Sequence, residues 1–148
     1  MSIRRAIVAD AQDIWRWRND VDTRAVSRNS ATVTWNDHRA WFERRLADPS
    51  TLMLIGMADE RAVGVVRFDR TSESTADVSI NLAPEYRGRG LGKALLRAGC
   101  AFASNDGFAA IFDAEILSAN LSSQRIFEQA GFAQIAAQGQ WLKFQQRA

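Results

Sequence analysis

At 148 residues, 47% of them hydrophobic, the chain has the length and apolar content of one domain with its own core, and no apolar run approaches the roughly 18 residues of a membrane span. Net charge is only +2, and the arginines, 17 of the 19 basic residues, are scattered rather than gathered into the basic stripe that nucleic-acid binding requires. One cysteine, Cys100, excludes a disulfide and a zinc site, and the opening MSIRRAIVADAQD lacks the apolar stretch and cleavage site of a secretory signal, so residues 1–148 are expected to form one soluble, cytoplasmic domain with no nucleic-acid, membrane or metal partner.

In chain order, Ile3 to Val8 reads as a short strand, and Asp10 is placed to cap a helix through the tryptophan-rich segment Asp13 to Asn19. After the polar stretch Ser27 to Thr34, a second helix is predicted from Trp35 to Leu46, with Asn36 or Asp37 near its start and Asp48-Pro49 past its end. Three strands follow, Leu52 to Met57, Ala62 to Phe68 and Ala76 to Leu82, separated by polar turns. In the third, Val78, Ile80 and Leu82 alternate with Asp77, Ser79 and Asn81, which gives one apolar and one polar face. Beyond the glycine-rich stretch Gly88 to Gly92, the positions Leu91, Leu95, Ala98 and Phe102 mark a helix, on which Cys100 reads as a small buried apolar residue. Phe108 to Leu117 then reads as a strand, Leu121 to Ala130 as a helix ended by Gly131, and Phe132 to Ala137 with Trp141 to Gln145 as a closing pair of strands. The pattern is an α/β domain with one mixed sheet.

The stretch APEYRGRGLGKAL carries the chemistry. Alternate glycines bare the main chain beside arginines just before a helix start, where unpaired N–H groups and the positive dipole end favour an anion such as phosphate. It is not a dinucleotide fingerprint, because the third glycine would fall on Lys93 or Leu95. Nor is it a nucleotide-binding P-loop, because Arg87 stands where the first glycine belongs and Ala94 where the hydroxyl belongs.

What remains, Arg87-x-x-Gly90-x-Gly92, resembles the pyrophosphate loop of the GCN5-related N-acetyltransferase family, whose form is Gln/Arg-x-x-Gly-x-Gly/Ala. Glu115 to Phe132 is similar to that family's second signature, a strand ending near an asparagine followed by a helix closing on E-x-x-G-F. The resemblance implies a mixed, mostly antiparallel sheet of six to seven strands flanked by about four helices, and acetyl-CoA as cosubstrate with no metal. It implies that Gly88, Arg89, Gly90, Leu91, Gly92 and Lys93 hold the pyrophosphate together with Arg87. Ile80, Asn81 and Leu82 would run beside the pantetheine arm, with Asn120, Ser123 and Phe127 also contacting the coenzyme. The Leu82 amide would polarise the thioester carbonyl. Asn120 is also a helix N-cap candidate.

A base must take a proton from the attacking amine, and Glu115 and Asp77 qualify, with Glu115 preferred for its place near the end of the strand beside the thioester. His38, the only histidine, falls in the region that faces the acceptor in relatives. Phe127 stands where many relatives carry a tyrosine acid, and phenylalanine has no proton to donate. The segment Trp17 to Arg24 resembles that of members acting on ribosomal-protein N-termini or nucleotide-linked amino sugars, and suggests an aromatic surface beside arginines. The expected activity is acetyl transfer to a primary amine of a small metabolite or amino sugar, by a monomer or homodimer. The alternatives are a protein N-terminal acetyltransferase and a non-catalytic acyl-CoA-binding module.

Overall fold

Seven strands form one sheet in a computed structural model that describes residues 1–148. They are β1 Ser2–Arg5, β2 Thr51–Ala58, β3 Arg61–Arg70, β4 Thr75–Leu82, β5 Ile111–Leu117, β6 Ala133–Gln138 and β7 Trp141–Arg147, in the order β1-β2-β3-β4-β5-β7-β6. All neighbours pair antiparallel except β4 and β5, which run parallel. Five α-helices accompany them: α1 Ala11–Arg18, α2 Val21–Ala25, α3 Trp35–Ala47, α4 Leu91–Asn105 and α5 Leu121–Gln129.

The period of two along each strand divides the core between the two sheet faces. Leu52, Leu54, Val66, Phe68, Val78 and Phe112 meet Leu95, Leu96 and Cys100 of α4 and Phe127 of α5 in the larger core. Met53, Ile55 and Val65 point the other way, onto Ile14 and Trp17 of α1 and Phe42 of α3. Val63, Val65 and Val66 are all buried because β3 is covered on both faces, whereas on β4 Asp77 and Ser79 are exposed and Ala76 and Val78 are not. The α1/α3 layer stops short of that part of the sheet, and its polar face stays open.

Helix α4 lies close to the sheet because three glycines make room for it. A Cβ on Gly56 or Gly64 would come within 2.6 and 2.9 Å of Leu95, and one on Gly99 within 2.7 Å of Val66. Burial of Cys100 pushes its thiol up to about 12, in keeping with a packing role.

Several boundaries differ from the sequence reading for identifiable reasons. The first strand ends at Arg5, and a single 3-10 turn occupies Val8–Asp10. Asp10 does not cap α1: its buried carboxylate accepts from the Ile7 amide at 2.8 Å and from both terminal nitrogens of Arg4 at 2.8 Å. Asn36 and Asp37 lie in the first turn of α3, and Thr34 caps it, its Oγ1 accepting from the Asp37 amide at 3.3 Å. The strand expected from Phe108 begins at Ile111, and Phe108 instead ends the turn after α4, with its amide donating to the Ala103 carbonyl. Helix α2 was not foreseen, and its start is fixed by Asp20, whose carboxylate accepts from the Asp22 and Thr23 amides.

Candidate active site

Strands β4 and β5 pair only through Thr75 with Ile111, Ala76 with Phe112 and Asp77 with Asp113, and then separate. Beyond that apex the strands leave between them a cleft of about 500 Å³, lined on one side by Val78 to Leu82 and on the other by Ala114 to Leu117. Asn120, Ser123, Ile126 and Phe127 of the α5 region, Arg87 and Gly88 of the glycine loop, Asp22, Thr23, Val26 and Ser27 in and just after α2, and Trp141 of β7 also line it. The site thus gathers residues from both sequence signatures.

The hydrogen-bond phase of β4 decides which of its amides face this cleft. The Ala83 amide donates to Val63 on β3 at 2.8 Å, and antiparallel partners alternate between bonded and non-bonded pairs. Ile80 and Leu82, out of phase with Ala83, therefore turn their N–H groups away from β3 and toward the separated β5. The Leu82 carbonyl, by contrast, accepts from Arg87 at 3.3 Å.

At the mouth of the cleft α4 begins without any side-chain cap and with no acidic residue in its first turn. Its leading amides are left without a side-chain partner beside the positive dipole end. The three glycines here serve different purposes. Gly88 and Gly90 both have φ of +75°, a left-handed conformation that side chains resist, and a Cβ on either would meet no protein atom within 4 Å. Gly92 is buried against α5, where a Cβ would stand 2.6 Å from Ile126 Cδ1. It sets helix packing rather than clearance for a ligand.

Arg87 is committed inside the protein. Its guanidinium donates to Asp20 Oδ2 at 2.8 Å and Thr23 Oγ1 at 2.7 Å, and its amide to the Pro84 carbonyl at 3.3 Å. The ion pair, reinforced by the Thr23 and Asp22 amides, holds the Asp20 carboxyl below the usual carboxylate range. Arg89 is exposed and lies over the Tyr86 ring. Asn120 caps α5, its Oδ1 accepting from the Ser123 amide at 3.2 Å. Phe127 is 3% exposed and packs edge-on against Phe132 at 5.0 Å.

Glu115 and Asp77 both occupy the polar face, at different depths. Asp77 stands at the apex, where its carboxyl is pushed up by burial first and then by Asp113 and Asp69, with Lys143 opposing. Glu115 lies two residues beyond the apex and lines the cleft, half exposed, in an ion pair with Arg28. Arg28 in turn stacks on Trp141 of β7, 4.1 Å from the ring centroid. No sequence signal marked Arg28 or Trp141, which reach Glu115 only through the fold.

His38 is fully buried between α1 and α3, its Nε2 2.9 Å from the Ala11 carbonyl. It is a packing residue and not part of the cleft. Of the segment Trp17 to Arg24, Trp17 is buried in the smaller core, Asn19 clamps both backbone groups of Val33 at 2.8 Å, and Arg24 bonds the Asn19 and Ser30 carbonyls. Trp15 and Trp17 nevertheless line a hollow of about 320 Å³ with Arg16, Asn19 and Asp20, and Arg18 lies over the Trp41 ring of α3.

A family model described as an acetyltransferase (GNAT) domain matches residues 1–133. No curated protein matches the sequence. Among solved structures, the aminoglycoside acetyltransferase AAC(6')-Ib in complex with ribostamycin and coenzyme A superposes with a TM-score of 0.87 at 21% identity, covering 99% of this chain and 92% of that one. Ribosomal-protein-alanine N-acetyltransferase from Brucella melitensis gives 0.82 at 22% identity, covering all of both chains. Spermidine N-acetyltransferase from Vibrio cholerae, in complex with CoA and spermine, gives 0.86 at 13% identity over 99% of this chain and 94% of that one.

Proposed function

This chain belongs to the GNAT acetyltransferase family, and from that premise we propose that it moves the acetyl group of acetyl-CoA to a primary amine of a small metabolite or amino sugar by direct attack. The observation that carries this reading is the cleft between β4 and β5, which opens onto an uncapped helix start behind two left-handed glycines. Acetyl-CoA fits that combination: the amides of Gly88 to Lys93 would take its pyrophosphate, and the cleft its pantetheine arm. Arg87 belongs to the loop as its anchor, since its side chain and amide already have protein partners.

Acetyl-CoA supplies the thioester carbonyl carbon. The Leu82 N–H, turned toward β5, stabilises the oxyanion that develops on the carbonyl as the amine attacks, a contribution of roughly 3 kcal/mol for one such donor. Glu115 takes the proton that the nitrogen loses. The C–N bond forms, the C–S bond breaks, and the departing thiolate takes its proton from solvent, because Phe127 has none to give.

The test pairs binding with turnover. Gly90→Val would force a β-branched residue into φ of +75° and place its side chain in the open space before α4. Calorimetry should show acetyl-CoA affinity at least tenfold weaker in a domain whose unfolding remains cooperative; unchanged affinity would sink the loop assignment. Thiol release from acetyl-CoA should then appear with at least one member of a panel of polyamines, aminoglycosides, amino sugars and alanine-terminated peptides. Turnover confined to the peptides would move the assignment to protein N-termini. Binding without turnover on any of them would favour the acyl-CoA-binding module that the loss of a tyrosine at Phe127 allows.

A further inference from the structure

Three guanidinium groups gather around Trp41 on the polar face of the sheet. Arg18, at the end of α1, lies 5.0 Å from the ring centroid, Arg67 of β3 at 5.3 Å and Arg45 of α3 at 5.8 Å. Asp69 bonds two of them, accepting from Arg45 at 3.0 Å and from Arg67 Nε at 2.9 Å, and Asp48 adds a through-space attraction to Arg45. Both carboxylates act on Arg45 and Arg67, and the Arg18 charge has no carboxylate partner. Arg18, partly buried, makes no hydrogen bond or ion pair with any protein group, and both terminal nitrogens of Arg67 are likewise unpaired.

A half-buried guanidinium without a counter-charge is unfavourable, and burial together with Arg67 pulls the Arg18 pKa below its ordinary value. Asp77, the next carboxylate on this face, forms no ion pair with the three guanidiniums; Asp113 and Asp69 repel its charge and Lys143 attracts it. Two guanidiniums stacked on one aromatic ring, with their N–H edges free, present the fork that a carboxylate or phosphate accepts.

This cluster adjoins the cleft. Arg67 pairs in register with Ser79, so the two side chains share a face, and Ser79 lines the cleft. Glu115 stands across the separation on β5. Strands β3 and β5 would be roughly 10 Å apart if β4 paired with both, and they stand farther apart here because β4 and β5 have separated.

We propose that Arg18 and Arg67, stacked on Trp41, bind an oxyanion carried by the acceptor, so that the acceptor is an amine bearing a carboxylate or phosphate at least roughly 10 Å from the reacting nitrogen. The inference rests on the acetyl-transfer reading and specifies its substrate class. It sets this chain apart from neighbours solved with ribostamycin or spermine.

Three acceptors of similar length test it: 7-aminoheptanoate, 6-aminohexyl phosphate and the uncharged 7-aminoheptanamide. The wild-type kcat/KM for at least one anionic acceptor should exceed that for the amide by tenfold or more, and the better of the two identifies the oxyanion. Arg18→Gln and Arg67→Gln should each erase most of that preference through KM, with Arg18→Lys keeping part of it; acetyl-CoA affinity, measured separately, reports that the variants are folded. Equal kcat/KM for charged and uncharged acceptors, or a preference that survives both substitutions, would overturn the inference. If no acceptor here or in the amine panel above releases thiol, the acetyl-transfer reading fails instead. The oxyanion site is then judged by titrating 7-aminoheptanoate and 7-aminoheptanamide into the coenzyme-loaded protein, where equal or absent heats reject it and a carboxylate-specific heat lost in Arg18→Gln retains it.

Discussion

Glu115 and Asp77 differ in two respects that pull in opposite directions. Asp77 sits where burial, Asp113 and Asp69 make it the more basic carboxylate than an ordinary aspartate, whereas Glu115 is half exposed and paired with Arg28. Its raised pKa recommends Asp77 as a base, and position favours Glu115. Asp77 lies five residues before Leu82, about 17 Å back along β4 at roughly 3.3 Å per residue, and at a point where β4 still pairs with β5. In the parallel register Glu115 stands level with Ser79, about 7 Å nearer Leu82 than Asp77, so it needs the shorter proton path and position decides. Glu115→Gln, which keeps shape and removes the acceptor, should lower kcat/KM by about 10², with the loss shrinking as pH rises and the free amine grows. Asp77→Asn should cost less than a third of that in logarithmic terms; the reverse ranking in steady-state kinetics would move the base to Asp77. The sequence exposed both carboxylates through strand alternation and motif spacing, but not their surroundings. Arg28 lies in a polar loop without periodicity, and Trp141 looked like any strand aromatic, so neither could be matched to Glu115 before the chain was folded.

Among the elements, those with strong local patterns were legible: the alternation of Asp77 to Leu82 in β4, the amphipathic face of α4, and α5 between Asn120 and Gly131. Helix α2 was not, because five residues cannot hold a helix by propensity, and its stability comes from elsewhere in the chain. Asp20 caps it while also binding Arg87, which reaches Thr23 and the Leu82 carbonyl. One arginine thus ties the glycine loop to α2 and to the end of β4. The loop's geometry is expected to depend on this tie. Arg87→Met should weaken acetyl-CoA by about tenfold, in line with the loss of partly buried charge-assisted hydrogen bonds, without changing the cooperativity of unfolding. Asp20→Asn should have a similar effect, and the double variant little more than either alone, since both break one connection. Strictly additive losses in calorimetry would mean that the arginine meets the coenzyme directly and that the pair with Asp20 is incidental.

At the scale of the whole molecule, one sheet separates two unlike layers. The larger apolar core lies under α4 and α5, and the smaller one lies on the other face, where α3 packs against α1 through His38, Trp41 and Phe42. His38 makes that smaller layer sensitive to acid. Its Nε2 must carry the proton donated to the Ala11 carbonyl, while Nδ1 is buried with no partner at all. Protonation would place a second N–H where nothing can accept it, beside Arg18. Burial first, and then the Arg18 charge, hold the His38 pKa below its ordinary value, against the opposing pull of the Ala11 hydrogen bond. The sign follows from linkage. Above the ordinary histidine pKa of about 6.5 neither folded nor unfolded chain binds the proton; below it the unfolded chain does and the folded one resists, so stability is lost as pH falls, by at most about 1.4 kcal/mol per pH unit. Urea unfolding of the wild type and of His38→Phe, compared at pH 7.5 and pH 5.5, isolates this contribution from the carboxylates that both proteins share. The difference should shift in favour of His38→Phe at the lower pH, whatever that substitution costs at the higher one through the lost Ala11 hydrogen bond. A difference that stays constant, or moves toward the wild type in acid, would show that the folded protein accepts the proton on Nδ1 and that the α1/α3 layer opens far enough to solvate it.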